Sequence, residues 1–332
     1  MHVLTLTNSA DAPFMNQQMA ALEERGVSFT TLAVSGDVDA ETARGPTDYL
    51  RTVPRVLAET SNGYDLIHAH YGLMAPMALA QFGTPVVLSL WGSDVHGPVK
   101  PVSSACAPLC DEVIVMSEEM REVLGRDCRV IPDGVDLETF RPESRARARE
   151  KVGWDDAGDA YQVLFPYPPE REVKNYPRAK RVVTAADNLL ERPVELRTVS
   201  GVDHDAIPDY MNAADALLLT SHSEGSPNSV KEAMACNLPV VAVDVGDVRE
   251  RLKGVEPSRI GTTDEELIVG LMDVLERGER SNGREAAREV SIERTADRML
   301  EIYERVTRST MRTSPNDAGK NATDQQPLSD KG

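Results

Sequence analysis

The sequence contains few cysteines, no long apolar run and no basic leader. Its four cysteines, Cys106, Cys110, Cys128 and Cys236, show no paired spacing of the kind that binds zinc. We interpret them as reduced cytoplasmic thiols or core residues. No apolar run reaches the roughly 18 residues of a transmembrane helix, and the first residues read as a strand rather than a signal peptide. These absences argue against a disulfide scaffold, a zinc module and an integral membrane protein.

Positive charge is also scarce. The 332 residues include 36 Lys and Arg against 54 Asp and Glu, which gives a net charge of −18. An acidic protein repels the phosphate backbone, so the balance disfavours nucleic acid as a partner. The acidity is compatible with a high-salt cytoplasm, where surface carboxylates maintain solubility. Because no basic amphipathic helix stands out, we expect a cytoplasmic protein with at most peripheral contact at the inner face of a membrane.

Short apolar runs alternate with amphipathic stretches along both halves of the chain. This alternation predicts an α/β fold with two parallel sheets, each covered by helices on both faces. Ligands of such sheets bind at the carboxyl ends of the strands, so we expect a site in the cleft between the halves. The predicted strands are 3–6, 29–34, 66–69, 86–90, 113–116, 130–131, 163–165, 194–199, 216–219 and 240–243, and the clearest predicted helices are 14–25, 177–190 and 292–306.

The most informative segment is 223–245, SEGSPNSVKEAMACNLPVVAVDV. Pro227 suits the first position of a helix, where its missing N–H is not needed. The first-turn amides would then point toward a bound phosphate. Glu224 and Glu232 flank the turn, and carboxylates accept hydrogen bonds from hydroxyls such as those on both sides of a sugar-nucleotide diphosphate. The residues predicted to offer amides are Gly225, Ser226, Asn228 and Ser229.

This segment resembles the glutamate-x7-glutamate motif of the family 4 glycosyltransferases, which have the GT-B fold. The resemblance implies that Glu224 approaches the donor sugar and Glu232 binds the ribose. Arg171 and Lys174, in PPEREVKNYP, resemble the pair that clamps the donor diphosphate, although prolines replace the usual preceding glycine. A retaining, metal-independent transfer from a nucleotide-diphosphate sugar to a hydroxyl acceptor is implied, without a cofactor, as in surface glycan or glycoconjugate synthesis.

The resemblance covers residues 1–306 and implies two Rossmann-like domains. Residues 1–142 would form the acceptor-side domain, 143–291 the nucleotide-sugar domain and 292–308 a closing helix. The polar composition of 309–332 predicts a disordered tail, and the charged stretch 143–159 is expected to be partly loose. The sequence Asp133-Gly134-Val135-Asp136 is similar to the family's Asn-Gly-Val-Asp at the domain border, and we expect Gly134 to permit a positive φ there.

The acceptor side departs from the family pattern. His68 and His70 share one face of a strand end, and the resemblance favours an acceptor-side role for His70. Trp91 replaces the family's histidine and is either a sugar-stacking platform or a core residue. Asp94 either binds acceptor hydroxyls or caps the next helix. The loop Asn8-Ser-Ala-Asp-Ala-Pro13 lacks the family's paired glycines.

The sequence contains two acidic triplets that resemble a metal-binding pattern. Asp37-Val38-Asp39 and Asp203-His204-Asp205 match an Asp-x-Asp metal pattern. Such triplets arise by chance in so acidic a chain, and we predict no metal site.

Two other functions are compatible with the sequence. A GT-B sugar-nucleotide epimerase would use the same fold and donor without an acceptor. A sugar-nucleotide-binding protein without turnover is the other alternative, because Trp91 and the missing glycines depart from the family.

Overall fold

A computed structural model describes residues 1–8, 12–34, 46–154 and 158–313. Within them the chain forms two α/β domains, each built on a parallel sheet, which confirms the predicted fold class. The strand order is β2-β1-β3-β4-β5-β6 in the first sheet and β11-β10-β9-β7-β8 in the second. The strands, β1 to β11 in chain order, are His2–Thr7, Ser28–Ala33, Leu66–His70, Val86–Ser89, Glu112–Val115, Arg129–Val130, Tyr161–Phe165, Val194–Thr198, Ala216–Leu219, Val240–Val243 and Arg259–Gly261.

Helices cover both faces of the two sheets and connect successive strands. No helix among the described residues is both long and apolar enough to cross a membrane. The helices, α1 to α14 in chain order, are Pro13–Glu23, Pro46–Thr60, Ala75–Ala78, Ser93–His96, Lys100–Cys106, Glu118–Leu124, Arg145–Lys151, Tyr176–Leu189, Ile207–Ala213, Asn228–Ala235, Val248–Arg251, Asp264–Arg277, Gly283–Ala287 and Ile292–Thr313.

The apolar runs of the sequence form the inner strands of the sheets. Every residue of β3, β9 and β10 is buried. Inner strands of a parallel sheet are covered by helices on both faces, so they read as continuous apolar runs and are readily found in a sequence. The short edge strand β11 contains Arg259 and was not predicted, because an edge strand needs fewer apolar residues.

Helix α14 returns from the second domain to pack on the first. Its apolar residues Met299, Ile302 and Tyr303 belong to the core cluster of the first domain. The Tyr303 hydroxyl lies 2.6 Å from Nδ1 of His68, and Nε2 of His68 lies 2.8 Å from the Ser89 hydroxyl. His68 is therefore a core histidine whose two ring nitrogens both have partners. The helix continues to Thr313, so the predicted end at 308 was too early; residues 314–332 lie outside the described residues.

The border between the domains consists of two chain segments that are hydrogen bonded to each other. Val135 N donates to Val290 O at 2.9 Å, and Ile292 N donates to Val135 O at 3.0 Å. Gly134 is not among the residues with positive φ, which corrects our expectation. Glycine is required there by close packing, because a Cβ on Gly134 would lie 2.5 Å from the Cα of Ile292.

The charged stretch 143–159 is more ordered than its composition predicts. Helix α7 occupies its centre, so the expectation of a partly loose segment was wrong for that part; residues 155–157 lie outside the described residues. Arg145 and Arg149 of this helix bind opposite oxygens of Asp215 at 2.8 and 2.7 Å. Asp215 is almost fully buried, so these two ion pairs hold α7 against the second domain.

Replacement of Tyr303 by Phe should destabilise the protein by about 1–3 kcal/mol, because a buried nitrogen of His68 would lose its partner. Urea unfolding followed by circular dichroism measures this change. Tyr161→Phe is the matched control, since the Tyr161 hydroxyl has no protein hydrogen bond within the described residues. Equal stability of the two variants would contradict the importance of the Tyr303 contact.

Candidate active site

A cavity of about 590 Å³ lies between the domains, at the carboxyl ends of their strands. Arg171, Lys174, Glu224 and Glu232 all line it. The structure therefore brings together four side chains that the sequence singled out from two separate segments. The remaining predicted donor-side residues, Gly225, Ser226, Pro227, Asn228 and Ser229, line the same cavity, as does Trp91.

Lys174 and Glu224 form an ion pair at the centre of this cavity. The Lys174 ammonium donates to Glu224 Oε1 at 2.5 Å, and the Ser221 hydroxyl donates to the same oxygen at 2.6 Å. The Thr220 hydroxyl, directly after β9, fixes the loop that carries Lys174 by donating a hydrogen bond to Lys174 O at 3.1 Å. Glu224 Oε2 has no hydrogen-bond partner in the described part of the chain, so it can accept a hydrogen bond from a ligand hydroxyl.

The Tyr167 ring packs against the lysine of this ion pair, a contact that the sequence did not predict. The Lys174 ammonium lies 4.0 Å from the centre of the Tyr167 ring, a distance at which a cation is attracted to an aromatic face. The Tyr167 hydroxyl is hydrogen bonded to Ser229 in α10. Burial lowers the pKa of Lys174, against the opposing effect of Glu224. Arg171 lies at the exposed rim of the cavity, where its cation is accessible to a phosphate.

Helix α10 begins beside these cations. Pro227 is its N-cap and Asn228 its first residue, so Pro227 lies one position earlier than we expected. No side chain caps the helix. Val230 N donates to Pro227 O at 3.2 Å, so the amides of Asn228 and Ser229 are the ones available to an anion. The preceding loop is fixed from behind by the Ser226 hydroxyl, which donates to Asp247 Oδ2 at 2.8 Å.

A buried lysine behind the helix start, Lys231, was missed by the sequence analysis. Its side chain is only 1% exposed, and its ammonium donates to Asp133 O at 2.8 Å and to the Ser226 hydroxyl at 3.1 Å. The carboxylates of Asp133 and Asp247 offset the burial that lowers its pKa. The available signal was a lysine between the apolar residues Val230 and Ala233 of α10, both of which are buried.

Glu232 lines the same cavity, beside His204. Burial raises the pKa of Glu232 to about 7, although Lys231 opposes this shift. His204 Nε2 lies 3.8 Å from Glu232 Oε1, and burial lowers the pKa of the imidazole. The His204 ring packs edge-on against Phe140 with 5.4 Å between ring centres. The 203–205 triplet thus contributes a neutral ring to this end of the cavity.

Of the three predicted acceptor-side residues, one lines the cavity and two do not. Trp91 is partly exposed and lines it. His70 is 3% exposed and stacks behind Trp91, with ring centres 5.6 Å apart. Asp94 is fully buried and accepts hydrogen bonds from the amides of Trp91, Gly92 and Gly72 at 2.8, 2.9 and 3.2 Å. Asp94 therefore fixes the loop. It does not cap the next helix, whose N-cap is Gly92 without a side-chain hydrogen bond, and its acceptor-side role stays a prediction.

Two predictions fall partly or wholly outside the described residues. These are the Asp37-Val38-Asp39 triplet and the centre of the loop 8–13, residues 9–11. Within the described residues no group of three or more His, Cys, Asp or Glu side chains is arranged to hold a metal ion. The cavity chemistry described so far depends on cationic side chains, backbone amides and two carboxylates.

Known families match each half of the chain separately. Residues 14–139 match the family described as Glycosyltransferase Family 4, and residues 175–275 match the family described as Glycosyl transferases group 1. Anabaena HepE has the same fold, with a TM-score of 0.67 and 16% identity over 92% of this chain and 100% of that chain. Sucrose-phosphate synthase from Thermosynechococcus elongatus superimposes with a TM-score of 0.72 and 19% identity over 93% of this chain and 100% of that chain.

Sequence relatives agree with these matches. TuaC of Bacillus subtilis (strain 168) is 28% identical over 55% of this chain, and the aligned part spans about half of that protein, 54%. A D-inositol 3-phosphate glycosyltransferase of Rhodococcus jostii (strain RHA1) is 25% identical over 91% of this chain and 79% of that protein. The fold is the GT-B fold of these solved structures, and the two family matches make the two halves of the chain similar to glycosyltransferases of family 4 and group 1.

Replacement of Lys231 by Ala should lower the free energy of unfolding by about 3–5 kcal/mol, because Asp133 and Asp247 would lose a buried cationic partner. Thermal and urea unfolding measure the loss. Lys180→Ala, on the exposed face of α8, is the matched control and should change stability by less than about 0.5 kcal/mol. A Lys231→Ala protein as stable as the control would show that the buried charge is not needed for the fold.

Proposed function

We propose that this protein is a retaining glycosyltransferase that moves a sugar from a nucleotide-diphosphate donor to an acceptor hydroxyl without a metal ion. The observation that carries the proposal is the shared cavity. It combines two cations and a helix start, which suit a diphosphate, with two carboxylates, which suit hydroxyls. In a nucleotide sugar, the sugar and the ribose lie on opposite sides of the diphosphate. In the chain, Glu224 precedes the first residue of α10 and Glu232 follows it.

In this proposal each group has a defined task. Arg171, Lys174 and the α10 amides stabilise the negative charge that develops on the leaving diphosphate. Glu224 accepts a hydrogen bond from the donor sugar, and Glu232 from the ribose. The bond from the anomeric carbon to the phosphate oxygen breaks while the bond to the acceptor oxygen forms on the same face. The acceptor proton passes to the departing phosphate oxygen, so no protein base is needed.

Two of the similar proteins support the donor and the pathway class. Anabaena HepE has been solved in complex with UDP and glucose, which shows that this fold holds a nucleotide and a sugar in that protein. TuaC is named for teichuronic acid biosynthesis. Our proposal includes a role in surface glycan or glycoconjugate synthesis, in the cytoplasm with at most peripheral contact at the inner face of the membrane.

Lys174→Ala and Glu224→Ala should each reduce transfer by about 10²–10³-fold, the usual loss when one charge-stabilising group is removed. Product formation from UDP-, GDP- and ADP-sugars with an acceptor panel measures the effect. Lys180→Ala should retain full activity, and circular dichroism should show that each variant is folded.

The same assay distinguishes the alternatives. Near-full turnover by either variant would refute the assigned roles. Formation of an isomeric sugar nucleotide without acceptor would favour an epimerase. Donor binding with neither transfer nor slow donor hydrolysis would favour a binding protein.

Donor affinity should depend on pH through Glu232. An ionised carboxylate accepts hydrogen bonds from both ribose hydroxyls, whereas the protonated form accepts them poorly. Since the pKa of Glu232 is about 7, the donor dissociation constant should rise as pH falls below neutrality, by at most about tenfold per pH unit. Donor-induced thermal stabilisation measured between about pH 5.5 and 8.5 reports this change.

Glu232→Gln removes the titrating group and should flatten this pH dependence while weakening donor binding at high pH. Glu265→Gln, on an exposed surface, should keep the profile of the unmodified protein. Burial lowers the pKa of the neighbouring His204, against the opposing effects of Asp205 and Asp136. A pH profile that is unchanged in Glu232→Gln would exclude Glu232 as its origin.

A further inference from the structure

The two walls of the cavity differ in charge. Among the described residues that line it, those contributed by the first domain before the border segment are all uncharged. The second domain contributes the cations and the two glutamates, and the border segment adds Asp133 and Asp136. The uncharged residues are Pro13, Phe14, Gln17, Trp91 and Met116.

Two of these uncharged residues form an aromatic surface. The rings of Phe14 and Trp91 have centres 4.9 Å apart and planes inclined by 57°. Both side chains are partly exposed, and both line the cavity. A surface of this kind offers a broad apolar area with electron-rich faces to the C–H bonds of a ring that lies against it.

The aromatic surface is held rigidly from behind. The Trp91 indole stacks on the buried imidazole of His70, with planes inclined by 12°. Burial lowers the pKa of His70 to about 3, so this imidazole is neutral at physiological pH. The Trp91 amide donates to the buried Asp94 carboxylate at 2.8 Å. Such support keeps the position of the indole fixed, as a binding surface requires.

This surface also adjoins the loop that carries Glu224. A Cβ on Gly225 would lie 2.8 Å from the Trp91 carbonyl oxygen, and a Cβ on Gly92 would lie 3.4 Å from Gly225 N. The two loops are therefore in backbone contact across the domain boundary. A molecule resting on Trp91 would lie next to a sugar held by Glu224, which is the geometry that transfer requires.

We propose that Phe14 and Trp91 form the acceptor platform and that the acceptor presents an uncharged saccharide ring to it. The proposal rests on the proposed transferase function and specifies its acceptor class. A cation within hydrogen-bond reach is the strongest side-chain partner for the phosphate of a phosphorylated acceptor. Among the described residues, the cations that line the cavity are Arg171, Lys174 and Lys231, and they belong to the opposite wall, where the proposed donor diphosphate competes for the first two and Lys231 is buried.

Kinetics of platform variants test the first part of the proposal. Trp91→Ala and Phe14→Ala should raise the acceptor KM by about tenfold, the effect of one lost stacking contact. Donor-induced thermal stabilisation and slow donor hydrolysis should not change, and Trp91→Phe should restore part of the acceptor affinity. Phe82→Ala is the matched control, because Phe82 is 98% exposed on the surface and should have no effect.

A panel of acceptors tests the second part. Methyl hexosides should be used as acceptors, whereas the corresponding hexose phosphates should be poor acceptors. Gln17→Lys adds a cation to the uncharged wall and should lower the KM for the hexose phosphates by about tenfold. The KM for the methyl hexosides should not fall in parallel, because these acceptors carry no phosphate to pair with the added cation.

Specific outcomes would overturn the proposal. Loss of donor stabilisation in a folded Trp91→Ala or Phe14→Ala protein would assign the platform to the donor. Efficient transfer to hexose phosphates, or donor hydrolysis with no transfer to any methyl hexoside, would refute an uncharged acceptor. Failure of the unmodified protein to be stabilised by any nucleotide sugar would instead refute the proposed function itself.

Discussion

The geometry of the cavity depends on one buried charge, the ammonium of Lys231. An ammonium removed from water must find compensating partners, and these partners come from separate parts of the chain. They are the carbonyl of Asp133 in the border segment, the hydroxyl of Ser226 before α10 and the nearby carboxylate of Asp247 after β10. Because the Lys231 ammonium interacts with all three of these groups, the start of α10 is fixed relative to the domain border. The anion-binding end of the helix is thus positioned by electrostatics as well as by apolar packing.

Close backbone packing is the second constraint, and it explains several glycines. Gly246 has a φ of +56°, and a Cβ on it would lie 2.5 Å from Gly225 O. Gly225 in turn leaves no room for a side chain beside Trp91 O. The loop bearing Glu224 is therefore enclosed between the turn after β10 and the Trp91 loop of the other domain. Any side chain at position 225 would push the two domains apart at the point where donor and acceptor must meet.

The sequence predicted those features that depend on local pattern. The inner strands were recognisable because burial on both faces requires unbroken apolar runs, and Glu224, Glu232, Arg171 and Lys174 stand in motifs that lead to one cavity. Contacts between distant residues were not predictable. Lys231 binds a carbonyl 98 residues away, and Gly134 is needed because α14 returns from far along the chain. Asp94 was undecided because a carboxylate that caps backbone amides and one that binds hydroxyls look identical in a sequence.

The distribution of lysine bears on how so acidic a chain could hold the anionic donor that we propose. With a net charge of −18 the protein repels a diphosphate at long range, but salt screens that repulsion beyond about 10 Å. Of its eight lysines, two lie almost fully buried at the donor wall, Lys174 and Lys231. A buried cation interacts more strongly with a nearby anion than an exposed one, because water screens it less. In the proposed function, Arg171 and Lys174 would supply this local attraction, and the uncharged wall of the first domain would select its ligand by shape and stacking.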